Sequence, residues 1–414
     1  MNILFIHQNF PAQFKHLAPA LVLQGHNVFA YRVTKKPRPQ FISDSGVRIL
    51  SYTFDQGTTP KIHPWVADFE AKIIRAQACF DFSLSLKNKG FKPDLIIAHP
   101  GWGESIFIKK VWPQSKLAIY CEYFYQSEGY DVDFDKEFGP ISNDFACRIE
   151  IKNLLNVMHF PTVDHAISPT NWQASTYPAD FRSKISVIHE GIDTELVKPN
   201  SDSFLMLGET INITKNDEVL TFINRDLEPY RGFHVFMRCL PELLRKKKNL
   251  KVVIVGGDSV SYGKKPQDCK SWKEKFVAEV KPQMDKDAFS RIYFVGKIPY
   301  RIYIKLLQIS TVHVYLTYPF VLSWSFLEAM SAGCSIVASN TPPVSEVMTN
   351  GSEGYLVDFF DKNEIIRHIL LLLDDENKRK YFSQRARELV VSKYDLKTVC
   401  LPKQLDWISS ISSI

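Results

Sequence analysis

The 414-residue sequence has no long apolar run, no paired cysteine motif and no strong excess of charge, and each absence removes a class of function. Its longest apolar stretch, IIRHILLLL, is broken by Arg367 and His368 and falls well short of the ~20 residues that cross a bilayer. The N-terminus, MNILFIHQNF, opens on a strand-like run without a charged n-region or cleavage site, so no signal peptide is expected. The seven cysteines are scattered, odd in number and free of any C-x-x-C spacing. That argues against a disulfide scaffold or a zinc site and for a reducing cytoplasm. A net charge of +6 suits an anionic ligand or a membrane surface but is far from a nucleic-acid-binding signature. No G-x-G-x-x-G follows a strand, which counts against an NAD-dependent dehydrogenase. What remains is an ordinary globular composition, 45% hydrophobic and 23% charged, in a chain long enough for two or three domains.

Hydrophobic patterning supplies the fold class. NILFIH, a helical run ending at Gly25 and the strand NVFAYRV form a β-α-β unit, whose crossover makes the strands parallel. Turn-rich sequence then leads to a helix near Asp68–Lys89. Strands at Asp94–Ala98, KLAIYCEY, DHAIS and ISVIHEG follow, each separated by helical segments. Residues 198–216 are polar and aperiodic, as expected of a linker. The alternation restarts with EVLTFINR, LKVVIVGG, RIYFVGK, STVHVYLT, CSIVAS and GYLVDF, and three helices close the chain. The expected class is α/β, with two doubly wound sheets carrying ligands at the carboxyl ends of their strands.

In the second half, polar groups recur at those ends. Arg225 closes EVLTFIN, and Arg231 precedes Gly232. Gly256-Gly257-Asp258 follows VVIV, and Gly296-Lys297 follows RIYFV. After HVYLT comes YPFVLSWSFLEAMSAGCSIVA, in which Ser323 or Ser325 can cap a helix that Gly333 stops. Two forked guanidinium groups and a helix N-terminus suit a diphosphate, and Glu328 can accept two hydrogen bonds from a vicinal diol. Read singly, each arginine is a solvated surface residue and the stretch a core helix with one glutamate; their conjunction is the signal.

The order Arg225-x5-Arg231-Gly232, GGD, VGK and LEAMSAGCSIVAS resembles the C-terminal domain of family-4 glycosyltransferases with the GT-B fold. HEGIDTELVKP resembles that family's hallmark before its linker. HQNFPAQFKHLAPALVLQGH, AHPGWGESIFIKKVWP and SPTNWQASTYP resemble a bacterial branch. The resemblance implies two Rossmann-like domains facing a cleft: residues 1–198 on the acceptor side, 199–390 binding the nucleotide sugar, and 391–414 returning to the first domain. It implies a retaining, metal-independent transfer without cofactor, from a UDP- or GDP-sugar to a glycan, lipid-linked or other acceptor. The setting would be cell-surface polysaccharide or glycoconjugate synthesis, in the cytoplasm or at the inner face of the membrane. Arg225 matches a phosphate-binding arginine, and Arg231 stands where lysine is usual. Glu328 matches the second glutamate of E-x7-E, which holds the ribose. The backbone of Ser323, Trp324, Ser325, Phe326 and Leu327 would face the phosphates and donor sugar. The loop through Lys297 and Ile298 would flank the base, with Gly256 and Asp258 nearby.

Three departures stand out. Phe320 replaces the first glutamate of E-x7-E. The loop QNFPAQF, with Phe10, lacks the usual glycines. Cys121-Glu122-Tyr123 stands where relatives carry a histidine. Glu122 is either a substrate-contacting acid or a salt-bridge partner. His7 and His99 either bind a sugar or serve structure. DVDFD at 131–135 mimics a D-x-D metal site but is expected to be a solvated loop. RKKK at 245–248 opposes a helix dipole or meets a membrane. Two rivals to transfer remain, a non-catalytic sugar-nucleotide binder and a sugar-nucleotide epimerase. The acceptor's identity and the oligomeric state are not encoded in any of these motifs.

Overall fold

The computed structural model describes residues 1–36, 38–139, 142–208 and 211–412. Residues 209 and 210 of the expected linker, and 413 and 414 of the expected C-terminal segment, lie outside them. The chain forms two compact units, Met1–Gly191 with Lys397–Ile414, and Ile192–Leu396.

The first unit holds eight strands: β1 (Asn2–Ile6), β2 (Asn27–Val33), β3 (Phe41–Ile42), β4 (Arg48–Tyr52), β5 (Leu95–Ala98), β6 (Lys116–Tyr120), β7 (His165–Ser168) and β8 (Ile185–Val187). Their order is β3-β4-β2-β1-β5-β6-β7-β8, parallel throughout except for the β3–β4 pair. Both faces are covered, which is why β1 reads as a continuous apolar run. Leu4 and Ile6 enter one core, while Ile3 and Phe5 enter the other. The helix Leu401–Ser412 belongs to this unit, and its Trp407, Ile408 and Ile411 pack into the core that holds Ile3 and Phe5.

The second unit begins with a two-stranded antiparallel pair, β9 (Phe204–Leu207) and β10 (Ile211–Thr214). A parallel sheet follows: β11 (Val219–Asp226), β12 (Lys251–Gly257), β13 (Ile292–Gly296), β14 (Val312–Tyr315), β15 (Ile336–Ser339) and β16 (Tyr355–Val357). Its order is β13-β12-β11-β14-β15-β16. The expected linker is therefore corrected: residues 204–207 and 211–214 pair as antiparallel strands, and Leu205, Leu207 and Ile213 alternate inward onto the core beside Leu306 and Ile309. The unit boundaries also fall at 191/192 and 396/397 rather than 198/199 and 390/391. Val197 is fully buried in the second core, Ile192 bridges to Asp395, and Thr194 donates to the Asp395 carboxylate at 2.5 Å.

DVDFD is no solvated loop either. Asp131 and Asp135 are buried: the first accepts from the Tyr123 hydroxyl at 3.1 Å, and the second caps a short helix through the Glu137 N–H at 3.0 Å.

Three buried histidines couple this packing to pH. Desolvation lowers His7 and His313 to about 3 and His159 to about 4, the neighbouring His99 adding to the effect at His7. The unfolded chain takes up these protons near pH 6.5 while the folded chain does not, so their contribution is intact above that pH and lost as pH falls below it. Buried Glu104, whose carboxyl burial raises, acts in the opposite sense near the carboxylate range. Urea denaturation should give a flat midpoint between pH 7 and 8 and a falling one below pH 6. The slope should approach ~1.4 kcal/mol per pH unit for each histidine. A midpoint constant down to pH 4.5 would show that these rings charge inside the fold.

Candidate functional site

In a doubly wound sheet the chain reverses direction at one place, and the loops leaving the two strands there diverge to open a crevice. In the second unit that place lies between β11 and β14, neighbours in the sheet with β12 and β13 on one side and β15 and β16 on the other. Arg225, Asp226 and Glu228 leave β11 there, and Thr317 to Ser323 leave β14.

The two expected phosphate arginines occupy opposite environments. Arg225 is exposed and has no hydrogen bond or ion pair among the described residues. Arg231 is only 4% exposed and crosses the reversal point. Its Nη1 donates to Thr317 Oγ1 at 2.7 Å, Val321 O at 3.2 Å and Tyr315 Oη at 3.3 Å. Its guanidinium also lies 5.2 Å from the Tyr262 ring centroid. The hydrogen-bond acceptors it meets are all neutral, so its charge is held without an anionic acceptor. Gly232, which follows, has φ +70°, and a Cβ there would collide with Leu316.

Tyr315 links Arg231 to the helix Trp324–Ser331, because the same hydroxyl accepts the Ser323 N–H at 3.1 Å. Ser323 is the N-cap, with Ser325 inside the first turn, and the Ser323 hydroxyl makes no capping bond. Gly333 follows the helix at φ +79°. Phe326 and Leu327 are buried and Trp324 packs on the core, so these residues offer backbone rather than side chains to a ligand. Glu328 is 7% exposed, not solvent-facing. Its two oxygens accept from Tyr300 Oη at 2.6 Å and Tyr303 Oη at 2.7 Å. Burial and the Glu328 charge push both phenols above their ordinary value, keeping them donors. Each carboxylate oxygen retains a second acceptor direction.

Around the end of β12, a Cβ on Gly256 would stand 2.6 Å from Leu227 Cδ2, so only glycine fits. Lys297 reaches buried Asp226, 3.0 Å from Oδ1, and Asp258 pairs with Lys273 at 3.4 Å. Ile298 packs on the core. Sequence reasoning missed Asp226 and Glu228. Glu228, 1% exposed, accepts from the backbone N–H groups of Ser261, Tyr262 and Gly263 at 2.9–3.3 Å and so ties that loop to the site. No local signal marks these contacts. The Tyr300/Tyr303 spacing, by contrast, places two hydroxyls on one helix face and was readable. Phe320, 4% exposed, packs 5.1 Å from Tyr262 and 5.8 Å from Tyr230, centroid to centroid.

The first unit reverses between β1 and β5, and its expected residues gather there. His7 and His99 are both 3% exposed. Each Nδ1 accepts a backbone N–H two residues on, from Asn9 at 2.9 Å and Gly101 at 3.1 Å, which turns each Nε2 outward as the ring's donor. His99 Nε2 approaches Glu122 Oε2 at 3.4 Å, and Glu122 is 44% exposed. Trp102 lies 4.7 Å from the His7 ring and 4.6 Å from the His99 ring. Phe10 instead packs on Phe5 as part of the core.

Comparisons with known proteins bear on both units. The family model described as "Glycosyl transferase family 4 group" matches residues 24–197, and "Glycosyl transferases group 1" matches residues 209–389. A lipopolysaccharide 1,2-N-acetylglucosaminetransferase of Salmonella typhimurium is 26% identical over 263 residues, 59% of this chain and 64% of that one. The curated relatives are matched over 43% to 64% of their own length. Among solved structures, a sucrose-phosphate synthase from Thermosynechococcus elongatus superposes with a TM-score of 0.74 at 14% identity, covering 100% of both chains. The Anabaena protein HepE, solved in complex with UDP and glucose, gives 0.65 at 15%, again over 100% of both. At such identities the structures establish the GT-B type of fold. The family models account for both halves of the sequence, and the chain belongs to the glycosyl transferases, its first half to the family 4 group and its second to group 1.

Proposed function

We propose that this chain transfers a sugar from a UDP- or GDP-sugar to a hydroxyl of a glycan, lipid-linked or other acceptor, with retention of anomeric configuration. The observation that carries the proposal is Arg231. It is a buried guanidinium held by neutral acceptors at the β11/β14 reversal point, linked through Tyr315 to a helix N-terminus, with the free Arg225 at the end of the same strand. The helix N-terminus and the two guanidinium groups together would attract an anion there, with Glu228, among the described residues, the one carboxylate acting on Arg231. Arg225 and Arg231 would neutralise the diphosphate as the C1–O bond breaks and the electron pair leaves with phosphate. The acceptor oxygen would bond to C1 on the same face, its proton passing to the departing phosphate. Glu328 would accept the ribose hydroxyls on its remaining lone pairs, fixed in place by Tyr300 and Tyr303. Backbone at Gly256 and 323–327 would approach the phosphates, and Lys297 and Ile298 would flank the base. Glu122 and His99 would contact the reacting sugars. With two guanidinium groups in this role, the reading requires no metal.

Among the described residues no helix is long and apolar enough to cross a membrane. A lipid-linked acceptor, reached at the inner face of the membrane in cell-surface glycan synthesis, is supported by the names of relatives that build lipopolysaccharide and phosphatidyl-inositol mannosides. One observation favours a second reading, a non-catalytic sugar-nucleotide binder: Phe320 is buried against Tyr230 and Tyr262 where a glutamate is expected.

A panel of UDP- and GDP-sugars should separate these. The true donor at ~100 times its dissociation constant should stabilise the chain by ~2.7 kcal/mol, read as a rise in melting temperature. Mass spectrometry of the same incubation should show free nucleoside diphosphate accumulating once acceptor is added. Stabilisation with no turnover on a broad acceptor panel would select the binder, an epimerised donor would select an epimerase, and no shift with any nucleotide sugar would reject all three.

A further inference from the structure

A second concavity opens at the carboxyl end of β4, in the first unit, where none of the residues considered so far is found. Its volume is about 530 Å³, within the range of small-molecule sites. It lies between the end of β4 and the helix Ala67–Asn88. Aromatic side chains form part of its wall. Tyr52 and Phe82 are stacked, with centroids 5.2 Å apart and planes 20° apart, and Phe54 stands beside them.

The polar lining is unusual in being unused. Arg38, Asp55, Gln56, Gln77 and Asp81 make no hydrogen bond or ion pair with any described residue. On this surface exposed charges elsewhere do find partners, as Asp68 does with Lys72 at 2.6 Å and Asp144 with Arg148 at 3.2 Å. A solvated hollow accounts for free side chains at the rim. It does not by itself account for five of them gathering around one cavity beside Tyr52, Phe54 and Phe82.

Planar amides, carboxylates and a guanidinium match adjacent hydroxyls two at a time, and an aromatic face matches the C–H side of a pyranose ring. Two carboxylates against one guanidinium disfavour a phosphate or a uronate. We infer that this cavity binds a neutral, hydroxyl-rich sugar unit of the acceptor glycan, at a distance from the hydroxyl that reacts. The inference rests on the glycosyl-transfer reading for the word acceptor, but glycan binding itself can be read separately. Continuity supports the assignment. The Arg75 guanidinium lies 5.5 Å from the Phe54 ring, donates to Gln8, and approaches Glu104 at 3.6 Å. A path of side chains therefore runs from the cavity wall to the β1/β5 reversal point, where His7 and His99 stand.

The test is a glycan array probed with the full chain. It carries malto-, cello-, manno- and chito-oligosaccharides beside uronate-containing and phosphorylated ones. Gln77→Trp fills the cavity from an exposed helix position, and Asp81→Ala removes one acceptor without adding bulk. Wild type should retain one or more neutral oligosaccharides, and both variants should bind them at least ~10-fold more weakly, with the nucleotide-induced melting shift unchanged. Equal retention by wild type and both variants, retention of anionic glycans alone, or no retention by wild type would each overturn the inference. Absence of a nucleotide shift would instead remove the transfer reading and leave the array result standing.

Discussion

Replacing Arg225 with alanine is expected to lower nucleotide-sugar turnover by at least ~100-fold while leaving the melting temperature within about 2 °C of wild type. The side chain is exposed and makes no hydrogen bond or ion pair among the described residues, so its removal deprives the folded chain of nothing. Surface substitutions of this kind stay within about 0.5 kcal/mol. A diphosphate, by contrast, would lose a forked, charge-assisted donor. Arg231→Ala should behave differently, although the sequence assigns both arginines one role. It empties a buried volume and strips donors from Thr317, Tyr315 and the Val321 carbonyl. A loss of about 2–4 kcal/mol in stability should therefore accompany the loss of turnover. Steady-state kinetics beside thermal and urea melts read both quantities. Full turnover in Arg225→Ala would remove the diphosphate role, and an unchanged melt in Arg231→Ala would show that its internal hydrogen bonds carry no weight.

Glu328→Gln is expected to weaken donor binding by ~30–100-fold and to lower stability by about 1–3 kcal/mol. The carboxylate accepts from two phenols that lie 28 and 25 residues away in sequence. An amide offers one accepting oxygen and turns an N–H₂ toward one of the two hydroxyls, so one phenol must reverse its role. The ribose would then meet a group with fewer accepting directions and no charge. Tyr303→Phe distinguishes the two effects: it removes one clamp and leaves the carboxylate, so stability should fall by about 1–2 kcal/mol while donor binding falls less than in Glu328→Gln. The opposite ranking in titration calorimetry would show that Glu328 serves the fold rather than the ligand.

The parts legible in the sequence were those that depend on near neighbours. The period of apolar residues gave the succession of parallel strands and helices. Gly25, Gly232 and Gly333, each with positive φ, fall at helix or loop ends. The order of polar residues at strand ends pointed to one edge of the second sheet as the candidate site. The C-terminal segment, expected over 391–414, belongs to the first unit from Lys397 on, where Trp407, Ile408 and Ile411 are buried. FLML at 204–207 carried an alternation that a polar average over 198–216 concealed, and that average produced the mistaken linker. The strand RILSY, β4, passed as turn-rich sequence, and the cavity at its end went unseen with it.

Composition, spacing and strand-end chemistry thus determined the class of fold and which residues stand at the carboxyl ends of its strands. Tertiary structure alone decided what those residues touch. It buried Arg231 and left Arg225 free, clamped Glu328 between two tyrosines, turned Glu228 onto the N–H groups of a distant loop, and drew Asp131 and Asp135 inward. The physical reason is that periodicity and capping are set within a few residues along the chain. The burial and hydrogen-bond partners of a polar side chain are set by whatever the fold brings beside it.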